Sequence, residues 1–483
     1  MNAPDVVDVV ALGESMVTFL PTRAGRLADV PSFDRTIGGA ESNVACGLAA
    51  AGHAVRWVSR VGSDGFGDHL VETVGGYGVD VSAVGRDSSR PTGVYFRTAG
   101  DRATDAHEVA YYRAGSAASA MSVENVDLAS VRAARVLHLS GITAALSEGC
   151  LALLRSLLVP GEDRPLVSFD VNHRAGLWRD ADGPRVLLEL ARGADIVFVG
   201  EDEAEEAWGI SGGPSAIRAA LPEPGVLVVK QGGVGATAFV SAAGRCELDA
   251  PRGGAAHRHS PAPLTSDTGP QTQDAAPSPI PTQPAGDRAA RHGSRPAENG
   301  SPSARAGDTG PRPQGAGPSP RPTQSAGGSR PAENGSPSAR AGDTGPRPQG
   351  AGPSPCPTGP AGSRAAGAAP GPETGGAHPR PAPEPGTFVP ALHVDVVATT
   401  GAGDAFAAGF LSATLRGLPL KTRLRHGHLY AAAALTTRGD LATPPTRDTT
   451  DRLAAVADDA WGTLRLGPGW TQAGRAPEEV PTP

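Results

Sequence analysis

The chain has 483 residues and a net charge of −7 at neutral pH, with 43 Lys and Arg residues against 50 Asp and Glu residues. This mild negative charge gives no electrostatic basis for binding nucleic acid or an anionic membrane surface. The amino terminus shows no signal peptide, and no apolar run reaches the roughly 18 residues that a membrane span needs. We therefore expect a cytoplasmic protein.

Two absent motifs narrow the chemistry further. Only two lysines occur, Lys230 and Lys421, and no G-x-x-x-x-G-K-[ST] segment exists, so a nucleotide phosphate must be held without a P-loop. The four cysteines form no CxxC pair and show no metal-site spacing, a pattern typical of reduced thiols in a cytosolic protein.

Apolar strands alternate with helical segments along both ends of the chain. The glycine pair before Ala40 predicts the start of an Ala-rich helix that stops at Gly52, and an acidic helix is predicted over Glu201–Trp208. Apolar runs predict strands at 6–12, 16–20, 54–61, 136–142, 166–174, 196–199 and 225–239, the last with a glycine turn inside it. This order predicts an α/β fold with a doubly wound, mostly parallel sheet and helices on both faces.

Two further segments bear on the site. Residues 92–98 and 109–113 alternate apolar and polar positions, which predicts a β-hairpin. Asp170, Asn172 and Arg174 follow a buried strand, where the carboxyl ends of parallel strands open into a site crevice.

Residues 251–385 form an insert of different composition, rich in Pro, Gly, Ala, Ser and Arg. A 27-residue segment that begins at Ser294 recurs at Ser329, and no apolar position repeats with it, which excludes a solenoid. Such a segment cannot bury a core and is predicted to be disordered. We interpret it as a lengthened surface loop between strands at 246–248 and 392–397, inside one domain formed by residues 1–250 and 386–483.

The segment around Gly401-Ala402-Gly403-Asp404 carries the strongest chemical signal. It reads as a strand at 394–397, a glycine turn, and a helix from Ala402 that Thr399 or Thr400 caps. A glycine-rich helix start offers free amides and a positive dipole end to a phosphate. We expect Asp404 to stay ionised there and to accept a proton from a hydroxyl, as phosphoryl transfer to an alcohol requires.

The GAGD turn, with GGAESNVACGLAAAG (38–52), VGSDGFGDHL (61–70) and GVDVSAV (78–84), resembles the ribokinase-like (PfkB) carbohydrate kinases in order and spacing. The resemblance covers nearly all of the chain outside the insert. It implies a ribokinase-like fold with a small β lid, whose strands lie at about 14–37 and 90–114. It also implies ATP and Mg²⁺ as cofactors and a homo-oligomer, because lid strands in this family often pair between subunits.

Within that family, YYRAGSAAS (111–119), HLSGIT (138–143), DVNHRAGLW (170–178) and RGD (438–440) look most like 2-keto-3-deoxygluconate kinases. The implied reaction is ATP-dependent phosphorylation of the terminal hydroxyl of that sugar acid, giving its 6-phosphate. Two arginines facing the substrate suit a carboxylate. Two alternatives stay open: a kinase for a neutral ketose such as fructose, and a catalytically weak sugar-binding protein.

The resemblance assigns roles residue by residue. Asp404 would be the base, and the amides of Gly401, Ala402 and Gly403 would stabilise the phosphoryl group. Glu203 would organise the metal through water. The substrate would contact Gly39, Asn43, Tyr95, Tyr111, Arg113 and Arg174, and the nucleotide would contact Lys230, Gly232, Gly235 and His428.

Three positions depart from the family pattern. Ala398 stands where many members have an Asp that shapes the anion hole, which makes potassium activation doubtful. Gly200 stands where many members have an Asn, and His428 where an Asn often lines the adenine pocket. These departures keep the base but leave room for reduced activity.

Overall fold

A computed structural model of the chain describes residues 4–98, 108–162, 164–178, 182–241 and 385–472. All of these residues belong to one compact unit, built from the chain on both sides of the insert. The predicted strand at 246–248 lies outside the described residues. So does the predicted insert at 251–385, apart from its last residue.

The strands are β1 Val7–Leu12, β2 Met16–Pro21, β3 Phe33–Gly38, β4 Val55–Gly62, β5 Val84–Asp87, β6 Val94–Arg97, β7 Val109–Tyr112, β8 Ala134–Ser140, β9 Leu166–Asp170, β10 Ile196–Gly200, β11 Val226–Lys230, β12 Gly235–Val240, β13 Thr387–Pro390, β14 His393–Val394 and β15 Arg465–Leu466. The helices are α1 Ala40–Ala50, α2 Gly65–Gly76, α3 Leu128–Arg132, α4 Gly141–Ala145, α5 Glu148–Leu158, α6 Gly183–Arg192, α7 Glu201–Trp208, α8 Pro214–Ala220, α9 Ala402–Leu415, α10 Leu420–Leu435, α11 Arg447–Ala454 and α12 Asp458–Thr463. Among these helices, none is both long and apolar enough to cross a membrane.

A nine-stranded sheet forms the centre, in the order β13-β12-β11-β10-β9-β8-β1-β4-β5. Every neighbouring pair from β5 to β11 is parallel, and β12 and β13 join antiparallel at one edge. Two buried clusters cover the two faces, one around Trp57 and Phe410 and the other around Leu137 and Phe169. The predicted doubly wound, mostly parallel sheet is confirmed.

A separate four-stranded sheet has the order β3-β2-β6-β7. The predicted hairpin is confirmed, because β6 and β7 pair antiparallel with Tyr95 opposite Tyr111. Aromatic side chains pack on this sheet, with the Phe19 and Phe96 rings stacked at 4.8 Å and Phe33 edge-on to Phe96 at 5.2 Å. Such ring contacts stabilise a small sheet that has little core of its own.

The predicted strand at 394–397 is wrong over most of its length. Only His393 and Val394 form a strand, paired parallel with β15. The amides of Val397 and Ala398 instead donate to the carbonyl of Leu435, at the end of α10. The backbone after Val394 therefore joins a helix end rather than a sheet ladder, and the β-branched side chains alone did not make it a strand.

The insert joins two strands that already lie side by side, since Ala238 of β12 pairs with Thr387 of β13. We therefore predict that replacing residues 242–384 with a short Gly/Asn hairpin loop leaves the fold and kinetics of the protein intact. The expected melting temperature stays within about 5 °C of the full chain. Loss of cooperative unfolding in the shortened protein would show that the insert contributes to the fold.

Candidate active site

A cavity of about 460 Å³ opens where the carboxyl ends of the parallel strands meet the four-stranded sheet. Asp170 ends β9 and Lys230 ends β11, so two central strands deliver polar groups to it. Strands β6 and β7 cover it with Tyr95 and Tyr111, and α9 brings Asp404 to it. The cavity lining includes eleven of the residues proposed from the sequence: Gly39, Asn43, Tyr95, Tyr111, Arg113, Arg174, Glu203, Lys230, Gly401, Gly403 and Asp404.

Gly401 occupies the N-cap position of α9, and its backbone is left-handed, with φ of 78°. A Cβ at this position would overlap the carbonyl oxygen of Asp440, so only glycine fits. No side chain caps the helix, and the expected cap by Thr399 or Thr400 is wrong. Because no side-chain oxygen occupies the helix start, its first amides remain available to an anion.

Asp404 lies in the first turn of α9, where Asn43 Nδ2 donates to its Oδ2 at 2.8 Å. Burial raises the pKa of this carboxyl to about 7; the Asn43 bond and Lys230 work against that shift, and Asp170 adds to it. With this pKa the carboxyl is only partly ionised at neutral pH, rather than fully ionised as the sequence suggested. A carboxyl group with a pKa near 7 suits a base that takes and returns a proton at neutral pH.

Lys230, at the end of β11, lines the same cavity as Asp404. Its Nζ donates to both oxygens of Asp170, each at 3.0 Å. Burial acts to lower the pKa of Lys230, but the charges of Asp170 and Glu203 outweigh it, and the pKa lies above its usual value. The ammonium is thus held charged at the cavity wall. It would also lie about 3.5 Å from a Cβ placed on Gly403, so it sits beside the glycine turn.

The lid side of the cavity contains a buried group that the sequence reasoning left without a role. Asp440 accepts hydrogen bonds from the Tyr95 hydroxyl and from Arg97, whose Nε lies 2.8 Å from Oδ1. Both side chains stand on β6, so Asp440 joins the lid strand to the turn at Gly401. The sequence offered the RGD segment at 438–440 only as part of the family resemblance and did not indicate this contact.

The two arginines proposed for the substrate carboxylate differ in setting. Arg113 is buried and ion-paired with Glu14, a residue that sequence reasoning missed. The side chain of Arg174 is 56% exposed, and its Nη1 donates to its neighbour's carbonyl at 2.8 Å and lies 3.6 Å from Glu203. Of these two arginines, Arg174 has the more exposed side chain and can therefore change its position more easily when a ligand binds.

Three of the residues proposed for the nucleotide do not line this cavity. His428 is buried, with Nε2 3.2 Å from the carbonyl oxygen of Val389 and its ring edge-on to Phe406. Gly235 lies against β13, where a Cβ would overlap Val389 and Phe388. Gly232 occupies the open turn after β11 with φ of 55°. Their contacts to a nucleotide remain a prediction.

Among the described residues, no group of three or more His, Cys, Asp or Glu side chains is arranged to hold a metal ion. Mg²⁺ needs no such group, because it binds through one or two carboxylates together with substrate phosphates and waters. The carboxylate of Glu203 lines the cavity, and the buried Oδ1 of Asn172 has no partner there. These groups fit a magnesium ion that arrives with the nucleotide.

Comparison with known proteins gives a consistent result. The profile of the pfkB family carbohydrate kinases matches residues 7–254 and 384–447. A 2-dehydro-3-deoxygluconokinase of Thermoproteus tenax is 33% identical over 241 residues, which is 49% of this chain and 73% of that protein. Fructokinase-1 of Zea mays is 35% identical over 205 residues, 42% of this chain and 62% of that protein.

Among solved structures, the 2-dehydro-3-deoxygluconokinase of Thermotoga maritima has a TM-score of 0.57 at 18% identity, covering 94% of this chain and 100% of that one. At this identity the similarity supports the fold alone.

The raised pKa of Asp404 predicts a pH-dependent effect on stability. Between about pH 4 and 7 the unfolded chain loses this proton while the folded chain keeps it, so the carboxyl lowers stability increasingly as the pH rises through this window. Asp404→Asn should therefore gain about 4 kcal/mol over the wild type at pH 8 and little at pH 4. Urea unfolding at both pH values measures this, and an equal difference at both would contradict the assignment.

Proposed function

Because this chain belongs to the pfkB family of carbohydrate kinases, we propose that it phosphorylates 2-keto-3-deoxygluconate, also called 2-dehydro-3-deoxygluconate, at its terminal hydroxyl with ATP. The observation that carries this proposal is the position of Asp404. Its carboxyl group, with a pKa of about 7, stands at the start of α9 in a cavity that also contains Arg113 and Arg174. A base, an anion site and two guanidinium groups thus face the same space.

In the proposed reaction, the substrate hydroxyl gives its proton to Asp404 as its oxygen attacks the γ-phosphorus of ATP. The bond from that phosphorus to the bridging oxygen breaks, and ADP leaves with the electron pair. The amides of Gly401, Ala402 and Gly403 stabilise the transferring group, and Lys230 adds a positive charge beside them. Asn43 orients the Asp404 carboxyl through its 2.8 Å hydrogen bond.

Bound Mg²⁺ would neutralise charge on the nucleotide phosphates. The chain's own part is to present the Glu203 carboxylate, which is held by a hydrogen bond from the Gly200 amide at 2.8 Å. That bond uses the backbone at residue 200, where a side chain would meet Asp202 and Glu203. We propose that Glu203 carries this role without the Asn that many family members have.

Two features support an acid as substrate. A guanidinium group pairs a carboxylate more strongly than a hydroxyl, and Arg113 and Arg174 both line the cavity. The Thermoproteus tenax relative is named for the same acid. Tyr111 lies beside Arg113, with the guanidinium carbon 5.8 Å from the ring centre, so an aromatic face adjoins the proposed carboxylate site.

One observation favours a neutral ketose as a second candidate. Glu14 pairs with Arg113 and Asp440 pairs with Arg97, so the charge of each arginine is already balanced within the protein. Within the described residues, four cationic side chains line the cavity against five acidic ones. The fructokinase of Zea mays matches at a similar identity.

We further propose a cytoplasmic location, where ATP is available and where the buried thiols of Cys46 and Cys150 would stay reduced. We also propose a homo-oligomer. In the described four-stranded sheet, β7 pairs only with β6, so its other edge is open, and Tyr112 on this strand is 65% exposed. An open strand edge of this kind can pair with a second subunit.

We predict that purified protein with Mg·ATP releases ADP with 2-keto-3-deoxygluconate at least tenfold more efficiently, in kcat/KM, than with fructose or ribose. Asp404→Asn should lower kcat at least about 100-fold, as removal of a general base does. A coupled ADP assay measures both. Preference for fructose would replace the acid by the second candidate, and turnover unaffected by Asp404→Asn would remove the assigned base.

For the assembly, we predict a dimer or larger species at micromolar concentration in sedimentation velocity. Tyr112→Lys, which places a charge on the β7 edge, should shift the protein towards monomer. Phe388→Lys, at an exposed aromatic residue of β13, serves as the control and should leave the sedimentation coefficient unchanged. A wild-type protein that sediments only as a monomer would refute this proposal.

A further inference from the structure

Glu14 and Arg113 meet where the central sheet joins the lid. Glu14 follows β1, in the middle of the nine-stranded sheet, and Arg113 follows β7, at the edge of the lid sheet. Their side chains are 1% and 9% exposed, and both line the cavity. A full ion pair is therefore enclosed in the wall of the substrate site.

The carboxylate of Glu14 has little freedom to move. Ser116 Oγ donates to its Oε1 at 2.6 Å, and the Ser116 amide donates to the Arg113 carbonyl at 3.0 Å, so one tight turn holds both partners. Gly93 lies close on the other side, where a Cβ would be 3.1 Å from the same oxygen. Glu14 thus holds the segment 113–116, which follows β7, through Arg113 and Ser116.

Arg113 keeps one donor without a partner. Its Nε is buried without a hydrogen-bond partner, whereas Nη2 is ion-paired with the Glu14 carboxylate. These two atoms form one edge of the guanidinium, the edge that a carboxylate can bind with two parallel hydrogen bonds. The charge of Arg113 is therefore balanced by Glu14, and a substrate carboxylate at this edge would bind Nε and compete with Glu14 for Nη2.

The charge of Glu14 has two opposite consequences. A buried guanidinium without a counter-ion is strongly unfavourable, so Glu14 keeps Arg113 in the wall. A substrate carboxylate that binds the same guanidinium must approach the negative charge of Glu14, and like charges at such separations repel appreciably in a partly buried site. Neutral sugars meet no such repulsion.

We propose that Glu14 is a positioning residue that sets the discrimination of this cavity between a sugar acid and a neutral sugar, by holding Arg113 in place and offsetting its charge. The proposal rests on the proposed kinase function and deepens it.

The test is Glu14→Gln, which keeps the size and an acceptor oxygen for Ser116 but removes the charge. We compare kcat/KM for 2-keto-3-deoxygluconate and for its primary amide, which is neutral and of nearly the same shape. The expected result is an acid-to-amide ratio about tenfold higher than in the wild type, through a lower KM for the acid, with kcat changed less than about twofold.

Two variants separate this role from a structural one. Asp80→Asn removes the carboxylate from Arg56, another largely buried arginine that lies outside the cavity lining, and should leave the ratio unchanged. In an Arg113→Met background, Glu14→Gln should no longer raise the ratio, because the two changes act through one pair. Thermal unfolding of each variant reports whether it folds.

Each outcome decides the proposal. Equal losses with both substrates, or an unchanged ratio in folded Glu14→Gln protein, would overturn it while leaving the kinase assignment standing. If the wild type uses only neutral sugars, the proposed substrate fails; the role of Glu14 then stands if Glu14→Gln gains turnover of the acid, and falls if it does not.

Discussion

The close contact between the glycine turn and the Asp440 carbonyl is the constraint on which the site depends. Gly401 adopts φ of 78°, and no side chain fits between it and that carbonyl oxygen. This geometry leaves the start of α9 uncapped and places Asp404 at the cavity floor. Through its side chain the same Asp440 holds Tyr95 and Arg97 of the lid. One residue therefore ties the anion site to the strand that covers it.

The cavity is a balanced array of charges rather than a basic pocket. Lys230 is paired with Asp170, Arg97 with Asp440 and Arg113 with Glu14. Such pairing keeps buried cations charged, at the cost of weakening their pull on an anion. Burial also raises the pKa of Asp404 to about 7, which suits the proposed base because it can give back its proton readily. In the proposed reaction, phosphoryl transfer and the choice of sugar thus depend on different charged groups.

Where the sequence-based expectations failed, a tertiary contact was responsible. The strand expected at 394–397 stops at Val394 because Val397 and Ala398 donate to the end of α10 instead. The cap expected from Thr399 or Thr400 is absent because the left-handed backbone at Gly401 begins the helix after both. Local propensity cannot register these contacts, since Leu435 lies 38 residues after Val397 and the Asp440 carbonyl, against which Gly401 packs, lies 39 residues after that glycine.

Sequence alone determined the alternation of strands and helices, the doubly wound sheet, the lid hairpin and the GAGD turn, because each depends on periodicity or on glycine within a short window. It also named most of the residues that line the cavity. Only the tertiary structure decided which charges meet: Glu14 lies 99 residues before Arg113 in the chain, and Asp440 lies 343 residues after Arg97. Pairings of this kind, and the pKa shift that burial causes, follow from the packed fold because electrostatic energy depends on distance and burial in space.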